Sequence, residues 1–141
     1  MTVSHESAFL DGVLAHLKNA SELQSVFGDN PRIVDAPGRA RLSYPHIRVA
    51  RHQTENADAQ LMPMIDHTLD LHVMTQWGGR SAAREAVGVV RGVLETGPIM
   101  LAAPFQLGWA YIALTDTLLL NDYNTFRSIV RIKARTRINS T

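Results

Sequence analysis

Apolar residues recur at three- and four-residue intervals from Ser4 to Asn19, where Phe9, Leu10, Val13, Leu14 and Leu17 form the stripe of an amphipathic helix. Ser4 suits the N-cap, Glu6 the positive end and Lys18 the negative end. A shorter helical turn over Glu22 to Phe27 stops at Gly28, and Pro31 follows. The period then changes from helical to alternating. Arg32 to Asp35 reads as a short strand ended by a Pro37-Gly38 turn, and His46 to Thr54 as a strand with Ile47 and Val49 on one side and His46 and Arg48 on the other. From Ile65 to Trp77, Leu69, Leu71, Val73 and Trp77 share one face while Asp66, Asp70, His72 and Gln76 share the other. The polar residues between, Glu55 to Pro63, predict a mobile loop joining two antiparallel strands.

Ser81 is the expected cap of a second long helix that runs to about Glu95, with Ala82, Ala86, Val90 and Val93 inward beside Val87 and Leu94. Gly97-Pro98 ends it. Two long strands follow, Phe105 to Leu120 and Thr125 to Asn139, joined by the turn Asn121 to Asn124. At about 3.3 Å per residue each arm reaches ~40 Å, long for a chain of this size. This order predicts an α+β fold: a mainly antiparallel β-sheet packed against two main helices, with a long C-terminal hairpin, as a single domain over 1–141.

Composition narrows the chemistry. The chain has 141 residues, of which 45% are hydrophobic and 19% charged, and it has no cysteine. Disulfide frameworks, cysteine-based zinc sites and cysteine nucleophiles are therefore excluded. The most apolar stretch, Ile99 to Phe105, is far too short to span a bilayer and is broken by Pro104. The first residues lack the basic patch and apolar run of a secretory signal, so the chain is expected to act where it is made.

Candidate chemistry is sparse. Asp66, Asp70 and His72 on one strand face, with His67 opposite and His46 and His52 on the neighbouring strand, suggest a carboxylate and imidazole metal site. The alternative is a polar, solvated sheet face, which is favoured because no H-E-x-x-H pattern is present. Neither a G-x-S-x-G elbow nor a glycine-rich phosphate loop occurs. Gly88 and Gly92, four apart in the second helix, read as an aid to close packing. No catalytic constellation and no cofactor are expected.

Charge is more informative than its near-zero sum of 14 basic and 13 acidic residues. Arg127, Arg131, Lys133, Arg135 and Arg137 all fall after Asn124, where there is no acidic residue. On a strand they share a face with Ile129, while Phe126, Ser128, Val130, Ile132, Ala134, Thr136 and Ile138 form an apolar face. Such a cation ladder either guards a sheet edge or meets an acidic partner or nucleic acid phosphates. With few aromatics to stack bases, protein contact or edge protection is preferred to base readout.

The layout as a whole resembles the tail terminators of siphophages and their domesticated relatives, including the version carried by gene transfer agents. The resemblance rests on the opening helix, Leu23-Gln24-Ser25-Val26-Phe27-Gly28, the strand start Tyr44-Pro45-His46-Ile47-Arg48-Val49, the strand from Leu69 to Trp77 before a glycine-led helix, and the two-strand C-terminus. It implies a homohexameric ring that binds the last ring of a tail tube, stops its polymerisation and joins the tail to the head through a neck or stopper protein. It implies no catalysis and no membrane contact, with assembly in the bacterial cytoplasm and residence in a phage-like particle. Interface candidates are the five C-terminal cations and the polar residues Glu55, Asn56, Asp58 and Gln60. In such a ring the cations can make non-specific contact with DNA in the channel. Alternatives are a head-side neck or adaptor protein, a small basic nucleic-acid-binding protein, and, last, a metal enzyme using Asp66, Asp70 and His72.

Overall fold

In the computed structural model, which describes residues 4–35, 42–59 and 62–138, Leu69, Leu71 and Val73 are fully buried at the centre of a five-stranded sheet. Their strand, β3 (Met64–Gln76), lies between β2 (His46–Asn56) and β5 (Thr125–Ile138). With β1 (Ile33–Val34) and β4 (Phe105–Leu119) the order is β1-β2-β3-β5-β4. All pairings are antiparallel except β1 with β2, where Ile33 stands beside Ile47. The α+β reading and the long C-terminal hairpin hold.

Helices cover one face of the sheet. Helix α1 (His5–Lys18) starts where the Ser4 hydroxyl accepts from the Ser7 amide at 3.0 Å, and buries Phe9, Val13 and Leu17. A 3-10 turn (Ser21–Leu23) runs into α2 (Gln24–Phe27), which ends at Gly28 with a positive φ of 83°. Helix α3 (Gly79–Glu95) buries Ala83, Ala86, Val90, Val93 and Leu94. These residues join Leu69, Leu71, Val73, Val130, Ile132 and Ala134 of the sheet in one core cluster. Each large side chain fully buried there contributes roughly 1.5–3 kcal/mol of transfer free energy.

Several details depart from the alternation rule. Trp77 does not share the Leu69 face: it leaves the strand with φ of 63° and is 73% exposed, because the chain turns there through Gly78 and Gly79 into α3. The helix begins two residues before Ser81, with Gly78 at the cap position, and Ala83 rather than Ala82 points inward. Gly88 and Gly92 do not serve close packing among the described residues, since a Cβ at either has open space around it. A close-packing glycine is instead Gly12 of α1, where a Cβ would lie 2.7 Å from Leu101 Cδ2 and 2.8 Å from the Met100 carbonyl.

The segment from Glu55 to Pro63 is not one long loop. Glu55 and Asn56 remain in β2, paired with Asp66 and Ile65. Beyond them the Ala57 amide donates to the Met64 carbonyl at 2.9 Å, the Asp58 amide to Asn56 Oδ1 at 2.9 Å, and the Met64 amide to Asp58 Oδ1 at 2.8 Å. The Asn and Asp side chains thus replace ladder bonds and extend the hairpin. Gln60, the Pro37-Gly38 turn and Asn139 lie outside the described residues.

Candidate functional site

The sheet face away from the helices is the functional candidate, and its centre is β5. This strand is internal, flanked by β3 and β4, so the reading of its cations as guards of a sheet edge is corrected. What alternation requires does hold: Phe126, Ser128, Val130, Ile132, Ala134 and Thr136 are buried, while the alternate positions face outward.

Register decides which cations are neutralised. Asp66 stands directly opposite Arg135 and Asp70 opposite Arg131. Arg135 donates from Nε to Asp66 Oδ1 at 2.6 Å and from Nη2 to Oδ2 at 3.0 Å. Arg131 does the same to Asp70 at 2.8 and 3.1 Å. Such two-pronged contacts match the planar guanidinium fork to the carboxylate. Hydrogen bonding from Arg135 holds the Asp66 carboxyl below its usual range. The two carboxylates considered as metal ligands therefore each have an arginine partner on the adjacent strand. Among the described residues no group of three or more His, Cys, Asp and Glu side chains gathers around a point that can hold a metal ion. Ion pairs among the described residues are these two and Arg91–Glu95 on α3, so Arg127, Lys133 and Arg137 carry unpaired charge.

Beside the cations runs an apolar row that alternation alone does not disclose. Register shifts at Gly108 and Ala113 of β4 bring Trp109, Tyr111, Leu114 and Leu118 opposite Arg135, Lys133, Arg131 and Arg127 respectively. Without the shift at Ala113, the two leucines would lie on the opposite face from Trp109 and Tyr111. All four are exposed by 39% to 54%. The Arg135 guanidinium lies 5.4 Å from the Trp109 ring centre, and Trp109 is 5.6 Å from Tyr111. An edge strand of this length, with a single charged residue, Asp116, invites a covering partner.

On the helix side, a register shift at Ala50 turns His52 inward, although simple alternation groups it with His46 and Arg48. His52 Nε2 lies 2.9 Å from His67 Nδ1, His67 Nε2 lies 2.8 Å from Thr136 Oγ1, and His5 Nδ1 lies 2.8 Å from that same hydroxyl. Phe9 of α1 packs on the His67 ring at 4.4 Å between centres. Burial first, and the neighbouring His52 second, push the His67 imidazole down to about 4. The arrangement fastens the start of α1 to three strands. A groove of about 840 Å³ between α1 and α3 is lined by Gly12, His16, Val93 and Met100 among others and brings no reactive pair together.

The hairpin tip that carries Glu55, Asn56 and Asp58 lies at the same end of the sheet as Arg137, which stands opposite Met64. Between His52 and Gly79 there is no Lys or Arg, so the tip is acidic while the end of β5 is basic.

The family model described as "Tail completion protein gp17" matches residues 11–137. Among solved structures, a chain in the virion of a native gene transfer agent particle superposes with a TM-score of 0.83 at 16% identity, over 96% of this chain and 99% of that one. The gp17 protein of bacteriophage SPP1 superposes with a TM-score of 0.60 at 18% identity, over 96% of this chain and 91% of that one. At these identities the likeness is one of fold. No curated protein matches the sequence.

Proposed function

The chain belongs to the tail completion protein gp17 family, and on that premise we propose that it is a structural subunit of a phage-like tail. In this reading it forms a closed ring, of six copies, that caps the tail tube, ends its polymerisation and joins the tail to the neck protein on the head side. It assembles in the bacterial cytoplasm and stays in the tail and neck region of the particle. Residues 1–141 act as one domain, and the role is one of binding, not catalysis.

The observation that carries this reading is the family match over residues 11–137, supported by the likeness to a chain of a gene transfer agent virion. The helix-free face adds a physical reason for assembly. Trp109, Tyr111, Leu114 and Leu118 expose apolar area on an edge strand, and a head-to-tail contact that closes by rotation buries such a row in every copy. The interface residues are taken to be Arg127, Arg131, Lys133, Arg135 and Arg137 beside that row, with Glu55, Asn56, Asp58 and Gln60 at the acidic hairpin tip. Within this set Arg131 and Arg135 have intrachain partners, so the charges free to meet a neighbour are Arg127, Lys133 and Arg137. Cations that face a channel would touch passing DNA weakly, without sequence preference and with steep salt dependence.

Native mass spectrometry and negative-stain images of the purified protein test the ring. Removing the chain from a particle-producing cell is expected to leave tubes of irregular length that do not join heads. A protein that stays monomeric, and is present as one copy in the particle, overturns the proposal. Antibody labelling confined to the head side of the neck would make it an adaptor instead.

A further inference from the structure

Strands β3 and β5 repeat one motif at four-residue steps. Asp66 faces Arg135, Asp70 faces Arg131, and the next rung in the same direction places Met74 opposite Arg127. In the first two rungs the arginine Nε donates to a carboxylate, at 2.6 and 2.8 Å. In the third, Arg127 Nε is buried and has no hydrogen-bond partner among the described residues. A buried donor in that state is costly, and more so on a charged group.

The surroundings of the third rung are cationic. Arg48 stands opposite His72, the next outward-facing residue along β3, and His72 Nδ1 is a second buried nitrogen without a partner among the described residues. His46, opposite Met74 from the other side and only 3% exposed, donates from Nδ1 to the Ser43 carbonyl and leaves Nε2 unpartnered. Besides burial, Arg127 and Arg48 depress the His72 imidazole, so the local field is positive even though Asp70 acts against it. Asp70 is already gripped by Arg131, and Asp116, one step away on β4 opposite Ile129, makes no ion pair among the described residues. The shelf has apolar sides as well, with Met74 on β3 and Leu118 on β4 flanking Arg127.

The geometry points to an unfilled carboxylate site at Arg127, His72 and Arg48, built to take an Asp or Glu side chain from an adjoining protein subunit as the missing third rung of the ladder. This deepens the assembly reading of the face and rests on it. A protein carboxylate fits better than a DNA phosphate for two reasons. The equivalent rungs hold carboxylates in this same strand pair, and Leu118, exposed beside Arg127, offers apolar contact to a side-chain stem that a phosphate lacks.

The test uses the free subunit, so it reads the site whether or not rings form. Arginine Nε–H and histidine signals are followed by NMR while a poly-glutamate peptide, or in a separate arm a duplex DNA oligonucleotide, is added. The expected result is a saturating shift at Arg127 and His72 with the peptide, little movement at Arg131 and Arg135, and a loss of peptide affinity of about tenfold or more in Arg127→Gln. Arg127→Gln should leave the melting temperature of the free subunit within about 2 °C of wild type, since among the described residues the arginine makes no ion pair and no hydrogen bond through Nε. Stronger response to DNA than to peptide overturns the carboxylate assignment in favour of a phosphate site. Silence in both arms, or a large fall in melting temperature on Arg127→Gln, shows that Arg127 serves the fold alone. A site that answers the peptide in a protein that never forms rings would leave the inference standing and remove the ring.

Discussion

Arg131 holds Asp70 with both prongs of its guanidinium, Nε 2.8 Å from Oδ1 and Nη2 3.1 Å from Oδ2, across the pairing of β5 with β3. The pair converts what looks in sequence like a free cation and a free metal ligand into one neutral unit in the middle of the sheet. Asp70 is only 7% exposed, so loss of that arginine would strand a buried carboxylate without its partner.

Arg131→Ala is therefore expected to destabilise the subunit clearly more than Lys133→Ala, which removes an exposed charge with no partner. Replacing both members, with Asp70→Leu and Arg131→Leu together, should recover much of the loss because no charge is left stranded. Urea denaturation of the free subunit measures all three. Equal losses for Arg131→Ala and Lys133→Ala would show that the pair contributes nothing to folding.

Stability should fall on mild acidification through His67. Its folded value of about 4 lies below the ordinary 6.5, so protonation favours the unfolded chain. The contribution is complete above about pH 6.5 and is lost progressively as the pH falls toward about 4, amounting to up to about 3 kcal/mol. His46, His52 and His72 are depressed in the same direction and add to the slope. His67→Gln, followed by urea denaturation across that range, is expected to flatten the slope by up to one proton. An unchanged slope would assign the acid sensitivity to the other histidines.

The apolar row on β4 should matter to assembly and little to folding. Leu114→Glu or Leu118→Glu places a charge on a face already exposed by 42% and 49%, with an expected change in subunit stability within about 0.5–1 kcal/mol. The same change buried at a subunit contact is expected to abolish the ring. Sedimentation velocity beside thermal unfolding separates the two effects, and intact rings in both variants would move the interface off this strand.

Glycines with the same propensity should respond in opposite directions. Gly12→Ala forces a methyl against the Met100 carbonyl and the Leu101 side chain, an overpacking cost of about 1–3 kcal/mol. Gly88→Ala and Gly92→Ala meet open space within α3 and should each stabilise the free subunit by about 0.5–1 kcal/mol. Chemical denaturation distinguishes them, and a loss at Gly88 would mean that α3 is packed more closely than described.

By itself the sequence determined the order of the elements and the faces of those whose periodicity is unbroken. The helical stripe of Phe9, Val13 and Leu17, the alternation around Leu69, Leu71 and Val73, and the two-faced strand from Thr125 to Ile138 are local periodicities, so local pattern suffices to read them. Only the tertiary structure decided what those faces meet. That β5 is internal and β4 the edge depends on strand order, which pattern does not encode. Which arginines are neutralised depends on register: pairing opposite Asp66 and Asp70 satisfies Arg135 and Arg131 and leaves Arg127 against Met74. Single-residue shifts at Ala50 and Ala113 reverse every side chain that follows them, turning His52 toward His67 and lining up Leu114 and Leu118 with Trp109 and Tyr111. A strand has a period of two, so one inserted residue exchanges its faces, and where that residue goes is settled by the partner strands.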